Sequence, residues 1–302
     1  MKTSLDCIPC FVRQALDAAR LVSTASAVHE RILREVLRWA CEMDMDQPAP
    51  VMGQRIHRLL RKIVGLEDPY REVKDHQNQM ALALLPDLKN TIEAAADPLI
   101  MALRLAIAGN VIDMGVNGRV TESMVRKSVS QALAEPFVGE QNTFRKAVAE
   151  AQRILYLADN AGEIAFDRLL IEQLVPARVT VAVRGGPVIN DATMADALAV
   201  GLDEIVEIID NGSDAPGTVL DDCSQDFRRR FTEADLILAK GQGNFETLSD
   251  APGNIFLLFK AKCPVTAAHA GVPLGTHVLA RSNARIAGLG RAERLSLFFG
   301  KN

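Results

Sequence analysis

Ile154-Leu155-Tyr156-Leu157-Ala158-Asp159-Asn160-Ala161-Gly162-Glu163, running on through residues 164–174, is the stretch that decides the fold. Five apolar residues in unbroken succession read as a strand buried on both faces, since a half-exposed strand would alternate apolar with polar positions. The polar, glycine-containing turn that follows leads into a helical stretch. Strand, turn and helix in that order form the building unit of a parallel sheet. The unit recurs down the chain. Apolar runs at 179–183, 205–209, 236–239 and 255–259, with 265–268 as a further candidate strand, alternate with helical stretches.

Upstream of 154 the rhythm is helical. Val28, Ile32, Leu33, Val36, Leu37 and Ala40 recur at spacings of three and four, while Glu30, Arg31, Arg34 and Arg38 fall on the opposite face. Ile56, Leu59, Leu60, Ile63 and Val64 repeat the pattern until Gly65 stops it. Further helical stretches fall at 76–84, 88–96, 99–108, 121–133 and 141–151, and Asp97-Pro98 is a strong helix start. The sequence therefore predicts an α/β protein in two parts. Residues 1–150 form a mainly helical region. Residues 151–302 form a Rossmann-like α/β region with a mainly parallel, doubly wound sheet.

Composition bounds the function. The 302 residues are 48% hydrophobic and 24% charged, which excludes a disordered or collagen-like chain. A net charge of −4 argues against a dedicated nucleic-acid binder. The longest apolar candidate, 98–108, is interrupted by Arg104, so no membrane span is expected. The N-terminal segment does not read as a signal peptide, and five cysteines are an odd, sparse set. A reducing, cytoplasmic location is the expectation.

In an open parallel sheet, ligands bind beyond the carboxyl ends of the strands. Four glycine-rich polar loops follow the apolar runs there, beginning at Asp159, Arg184, Asp210 and Lys240. Asp159, Asn160 and Asp191 are hard oxygen donors of the kind that hold Mg²⁺ or Mn²⁺, and Co²⁺ or Ni²⁺ can occupy similar ligands. Lys240 is a compact cation for a phosphate oxygen, and Gly241 and Gly243 let backbone N–H groups approach an anion. Each loop alone reads equally well as a turn or a helix cap. Four of them on one edge, with a lysine among them, point to metal-assisted phosphoryl chemistry. The attacking group is left open between a metal-activated water and a carboxylate, with Asp159 the first candidate.

Two other function classes remain. One is an enzyme dependent on S-adenosylmethionine or a nucleotide cofactor, such as a methyltransferase, with Asp210 holding a ribose. The other is a non-catalytic metal- or redox-binding protein built on Cys7-Ile8-Pro9-Cys10. Gly241-Gln242-Gly243 lacks the third glycine of a dinucleotide fingerprint, since Glu246 stands in its place.

Cys7–Cys10, Gly109-Asn110-Val111-Ile112-Asp113, Asp159–Glu163, Gly186-Pro187-Val188-Ile189-Asn190-Asp191 and Lys240–Glu246 occur in the order found in one known family. On those motifs the sequence resembles the metal-dependent damage-control phosphatases, formerly known as domain of unknown function eighty-nine, and within them the Cys-x-x-Cys subfamily. The resemblance implies a helical domain packed on a three-layer α/β domain. It implies a divalent metal on Asp159, Asn160 and Asp191, and a phosphate contact from Lys240 with Asn244 nearby. It places Glu163, Gly241 and Gly243 on the substrate side and lets Asn110 and Asp113 close the site from the helical part. The implied substrate is a small phosphorylated metabolite, often a side product or damaged form of a normal one.

Overall fold

The computed structural model describes residues 1–109 and 122–283. In chain order the helices and strands are α1 (Cys7–Val22), α2 (Ser26–Glu42), α3 (Ala49–Val64), α4 (Arg71–Glu93), α5 (Pro98–Ala108), α6 (Glu122–Ala134), β1 (Phe137–Gly139), α7 (Gln141–Glu150), β2 (Ile154–Leu157), α8 (Glu163–Gln173), β3 (Val179–Val183), α9 (Met194–Ala199), β4 (Glu207–Asp210), α10 (Gln225–Glu233), β5 (Leu236–Lys240), α11 (Gly241–Leu248), β6 (Ile255–Lys260), α12 (Pro264–Ala270) and β7 (His277–Arg281).

The described strands form one sheet in the order β1-β7-β6-β5-β2-β3-β4. All neighbours run parallel except β6 and β7. From β2 the chain winds outward to β3 and β4, then returns to β5 on the other side of β2. The sheet therefore reverses its winding between β2 and β5, and the carboxyl ends of those two strands border a crevice. Alternate residues of the central strands enter opposite cores. Ile154, Tyr156, Leu236 and Leu238 pack with α4, α5 and α8. Leu155, Leu157, Ile237 and Ala239 pack with α10, α11 and α12. The period of two places helices on both faces and makes three layers. A third cluster joins α1, α2 and α3 through Phe11, Ala15, Ile32, Val36, Ile56 and Leu60.

Several expectations hold. Asp97 caps α5, accepting from the Ile100 N–H at 3.1 Å. Gly65 ends α3 in the left-handed region at φ 71°. Others are corrected. The two helices expected at 76–84 and 88–96 are one helix, α4, which runs through Pro86. Proline costs a helical hydrogen bond, but Ala81, Leu84, Leu85, Leu88 and Ile92 on both sides of it bury into the same core and keep the halves together. The candidate strand at 265–268 is helical. Pro264 opens α12, and the Cys263 thiol caps it from the Thr266 N–H. The strands at the other edge, β1 and β7, were not expected, and β7 enters the sheet against the direction of its neighbour β6. No described helix is long and apolar enough to cross a membrane.

Candidate active site

Two loops at the crevice carry the expected oxygen donors, and their backbones are tied together. Asn160 and Asp191 form an isolated antiparallel bridge. The Ala161 N–H donates to the Asn190 carbonyl at 2.8 Å, and the Ala192 N–H donates to the Asp159 carbonyl at 2.7 Å. These bonds lock the turn after β2 to the turn after β3, so Asp159, Asn160 and Asp191 are brought together as the sequence predicts. Across the crevice, Gly241 opens α11 at φ 82°. A Cβ there would stand 1.9 Å from Asp159 Oδ2. Only glycine leaves room for the carboxylate.

The amide of Asn160 is oriented by its neighbours. Its Nδ2 donates to Asp159 Oδ2 at 2.8 Å and to Glu163 Oε2 at 3.2 Å, which leaves Oδ1 as its acceptor. Asp191 Oδ2 accepts from Arg184 Nε at 2.7 Å, and Arg184 Nη2 lies 3.8 Å from Asp159 Oδ1. That Nη2 is buried and makes no hydrogen bond. Burial, followed by the charges of Glu163 and Asp191, pushes the Asp159 carboxyl well above the usual range, against the pull of Arg184 and Lys262. Asp159 thus stands in a buried setting beside two other carboxylates, an arrangement that a divalent ion relieves. Among the described residues no three Asp, Glu, His or Cys side chains converge as a metal cage. The set at issue is two carboxylates and one carboxamide oxygen, which fits a hard cation that keeps water in its other positions.

Four expected phosphate contacts are engaged within the protein. Lys240 is fully buried, and its Nζ donates to the Ala106 carbonyl at 2.8 Å, Glu163 Oε1 at 2.6 Å and Asp167 Oδ1 at 2.7 Å. An ammonium has three N–H donors, so all are committed to the protein. Burial alone would depress Lys240, yet Asp167 and Glu163 hold its pKa above the ordinary value. Asp167 in turn accepts from the Tyr156 hydroxyl at 2.8 Å, and burial pushes its carboxyl up to about 6. Glu163 spans this buried cluster and Asn160, and so braces a metal-ligand candidate. Asn244 is also fully buried, donating to the Lys240 carbonyl at 2.7 Å and accepting from the Thr218 hydroxyl at 2.8 Å. Gly243 faces backbone, since a Cβ on it would meet the Pro216 carbonyl oxygen at 2.1 Å. Asn110 and Asp113 lie outside the described residues.

A cavity of about 560 Å³ opens over this crevice. Asp159, Asn160, Asn190 and Asp191 form one end, and Gln242, Gly243, Glu246 and Lys262 continue the floor. Phe11, Gln14, Ala49, Pro50 and Gly53 of α1 and α3 form the opposite wall, with Cys7, Cys10 and Cys263 also in the lining. None of those thiols is in a disulfide. Sequence reasoning missed Lys262 and the role of Arg184. Arg184 opens one of the four loops, directly after β3, and Lys262 lies two residues beyond β6, so the rule that found the loops reaches it when applied to that strand. Another cleft of about 570 Å³ lies at the amino ends of β2 and β3. Its arginines are held by partners: Arg153 by Asp235, Arg178 by the Ala151 carbonyl and Arg230 by Glu207.

Comparisons with known proteins find relatives along nearly the whole chain. The model of the damage-control phosphatase ARMT1-like domain matches residues 3–278. A damage-control phosphatase of Archaeoglobus fulgidus is 36% identical over 92% of this chain and 98% of its own. A damage-control phosphatase of Pyrococcus horikoshii is 32% identical over 95% of this chain and 100% of its own. The crystal structure of a DUF89 family protein from Pyrococcus horikoshii superposes with a TM-score of 0.84 at 31% identity, covering 93% of this chain and 99% of that one.

Proposed function

The chain belongs to the damage-control phosphatase ARMT1-like domain family, and from that premise we propose that it hydrolyses phosphate monoesters of small metabolites with a divalent metal held by Asp159, Asn160 and Asp191. It is an enzyme, a phosphatase of damage-control type. The observation that carries the residue assignment is the meeting of those three side chains in the lining of the cavity, on two loops bonded to each other. A divalent ion bound there supplies positive charge against the phosphoryl oxygens. Mg²⁺, Mn²⁺, Co²⁺ and Ni²⁺ are the candidates.

The protein's own residues perform the remaining tasks. Asn160, fixed by Asp159 and Glu163, offers its amide oxygen. Arg184 holds Asp191 in place. Lys262, in the cavity lining, takes the phosphoryl-binding role expected of Lys240. Gly241 keeps the Asp159 carboxylate clear. The apolar wall from α1 and α3 receives the organic part of the substrate. This division of labour supports a helical part, 1–150, that contributes the wall, and an α/β part, 151–302, that contributes the chemistry. Cys7 and Cys10, on the first turn of α1, are consistent with the Cys-x-x-Cys subfamily, and we place the enzyme in the cytoplasm.

The test is a phosphate-release screen after chelation. Sugar phosphates, nucleoside monophosphates and an aryl phosphate would each be offered with Mg²⁺, Mn²⁺, Co²⁺ or Ni²⁺ restored. Release from at least one ester with at least one metal is expected. Full release in the continued presence of chelator would overturn the metal assignment.

A further inference from the structure

Asn78 is buried in the middle of α4, far from the site in sequence, and is 2% exposed. Its Oδ1 accepts from the Gly162 N–H at 2.7 Å, and its Nδ2 donates to Asp196 Oδ1 at 2.9 Å. Gly162 closes the turn that carries Asp159 and Asn160, and it sits at φ 73° before the first turn of α8. Asp196 belongs to the capping box of α9, accepting from the Thr193 N–H at 2.9 Å and the Thr193 hydroxyl at 2.8 Å. Thr193 is two residues beyond Asp191. One amide side chain therefore spans the ends of both ligand-bearing loops.

Two cations on the same face of α4 reinforce the anchor. Lys74 Nζ lies 2.8 Å from Asp196 Oδ2, and Arg71 Nη2 lies 2.5 Å from Asp196 Oδ1. Arg71, Lys74 and Asn78 are spaced at three and four, so they present one polar stripe. Asp196 is thereby fixed to α4, and a side chain that bonds both Asp196 and Gly162 adds a tie from α4 to the backbone bonds that already join the loops. Groups that support metal ligands from behind are commonly worth a factor of about 10–100 in metal affinity.

We infer that Asn78 is a positioning residue for the metal site, tying the Asp159–Asn160 turn and the Asp191 turn to α4. The inference rests on the proposed metal ligands. Its measure is Mn²⁺ affinity, read from the electron paramagnetic resonance signal of free Mn²⁺, beside kcat and KM for an aryl phosphate. In Asn78→Ala the Mn²⁺ Kd should rise about tenfold, the scale of a lost supporting contact, while KM at saturating Mn²⁺ stays within about twofold. Leu84→Ala, on the same helix but facing the apolar core, should lower Tm and leave the Mn²⁺ Kd unchanged. Wild-type affinity in a folded Asn78→Ala overturns the inference. Should that variant not fold, Asn78→Ser keeps a small uncharged polar side chain but is too short to bond Gly162 and Asp196 together. A raised Kd is then expected, and a wild-type Kd overturns the inference. Failure of the site assignment has its own signature: no Mn²⁺ binding by the wild type, or equal binding by Asp191→Ala.

Discussion

Asp159 and Gly241 touch across the point where the sheet reverses its winding, so closely that one added carbon on Gly241 would lie 1.9 Å from the Asp159 carboxylate. Gly241→Ala should therefore displace Asp159 as well as strain a backbone held at φ 82°. Strain of this kind costs of order 1–3 kcal/mol. Turnover should fall by about 10², the scale of losing a charge-stabilising group. Gly65→Ala is the contrast, since its φ is 71° but nothing lies within 4 Å of the added carbon. It should lose some stability and no activity. Kinetics and Tm on both variants decide the matter.

Lys240 should reveal itself through stability. Lys240→Met removes the partner of Glu163 and Asp167 and leaves two buried carboxylates facing each other. Breaking a buried pair in this way costs about 3–5 kcal/mol, so denaturant unfolding should show a large drop. A variant with wild-type stability and a raised KM would instead put the ammonium on the substrate.

Lys262 should behave in the opposite way. It is exposed and lines the cavity, whereas Lys240 is fully buried. Lys262→Ala should leave Tm unchanged and raise KM about tenfold, in line with one lost charged hydrogen bond of about 1.5 kcal/mol. An unchanged KM would remove Lys262 from the phosphate-binding role.

The loop after β4 is clamped to α3 in a pH-dependent way. Burial alone would raise the Asp214 carboxyl, but hydrogen bonds from Arg58, Arg61 and Gln54 overcome it and hold the carboxyl at about 2. Its folded value lies below that of an unfolded aspartate, about 3.9. The clamp therefore stabilises the protein above about pH 4 and is lost as pH falls toward 2. Asp214→Asn should lower Tm at pH 7, and the gap from wild type should narrow below pH 4. A gap that does not change with pH would contradict the clamp.

The sequence made the central strands and the two ligand-bearing turns legible for a physical reason. Strands buried on both faces are continuous apolar runs, and polar, glycine-containing loops that follow several of them on one sheet edge point to a shared site where each loop alone would not. The two strands beyond β6 were less legible. β1 is three residues long, too short for a pattern, and β7 depends on antiparallel pairing with β6 that no local signal announces. Lys240 was only partly legible, because residue type and loop position describe a phosphate-binding lysine equally well whether the side chain points outward or inward. Its direction is set by Glu163 and Asp167 on α8, 77 and 73 residues earlier. Asn78 was silent for the same reason, since a mid-helix asparagine acquires meaning only when Gly162 and Asp196 fold against it.

The central claim is that Asp159 holds a metal on which turnover depends. The most direct test strips wild type and Asp159→Ala with chelator and follows aryl phosphate hydrolysis as each divalent metal is restored. Metal-restored turnover in the wild type, reduced by at least about 10² in a folded Asp159→Ala, is the expected result. Turnover that survives chelation, or that returns equally in Asp159→Ala, would contradict the account.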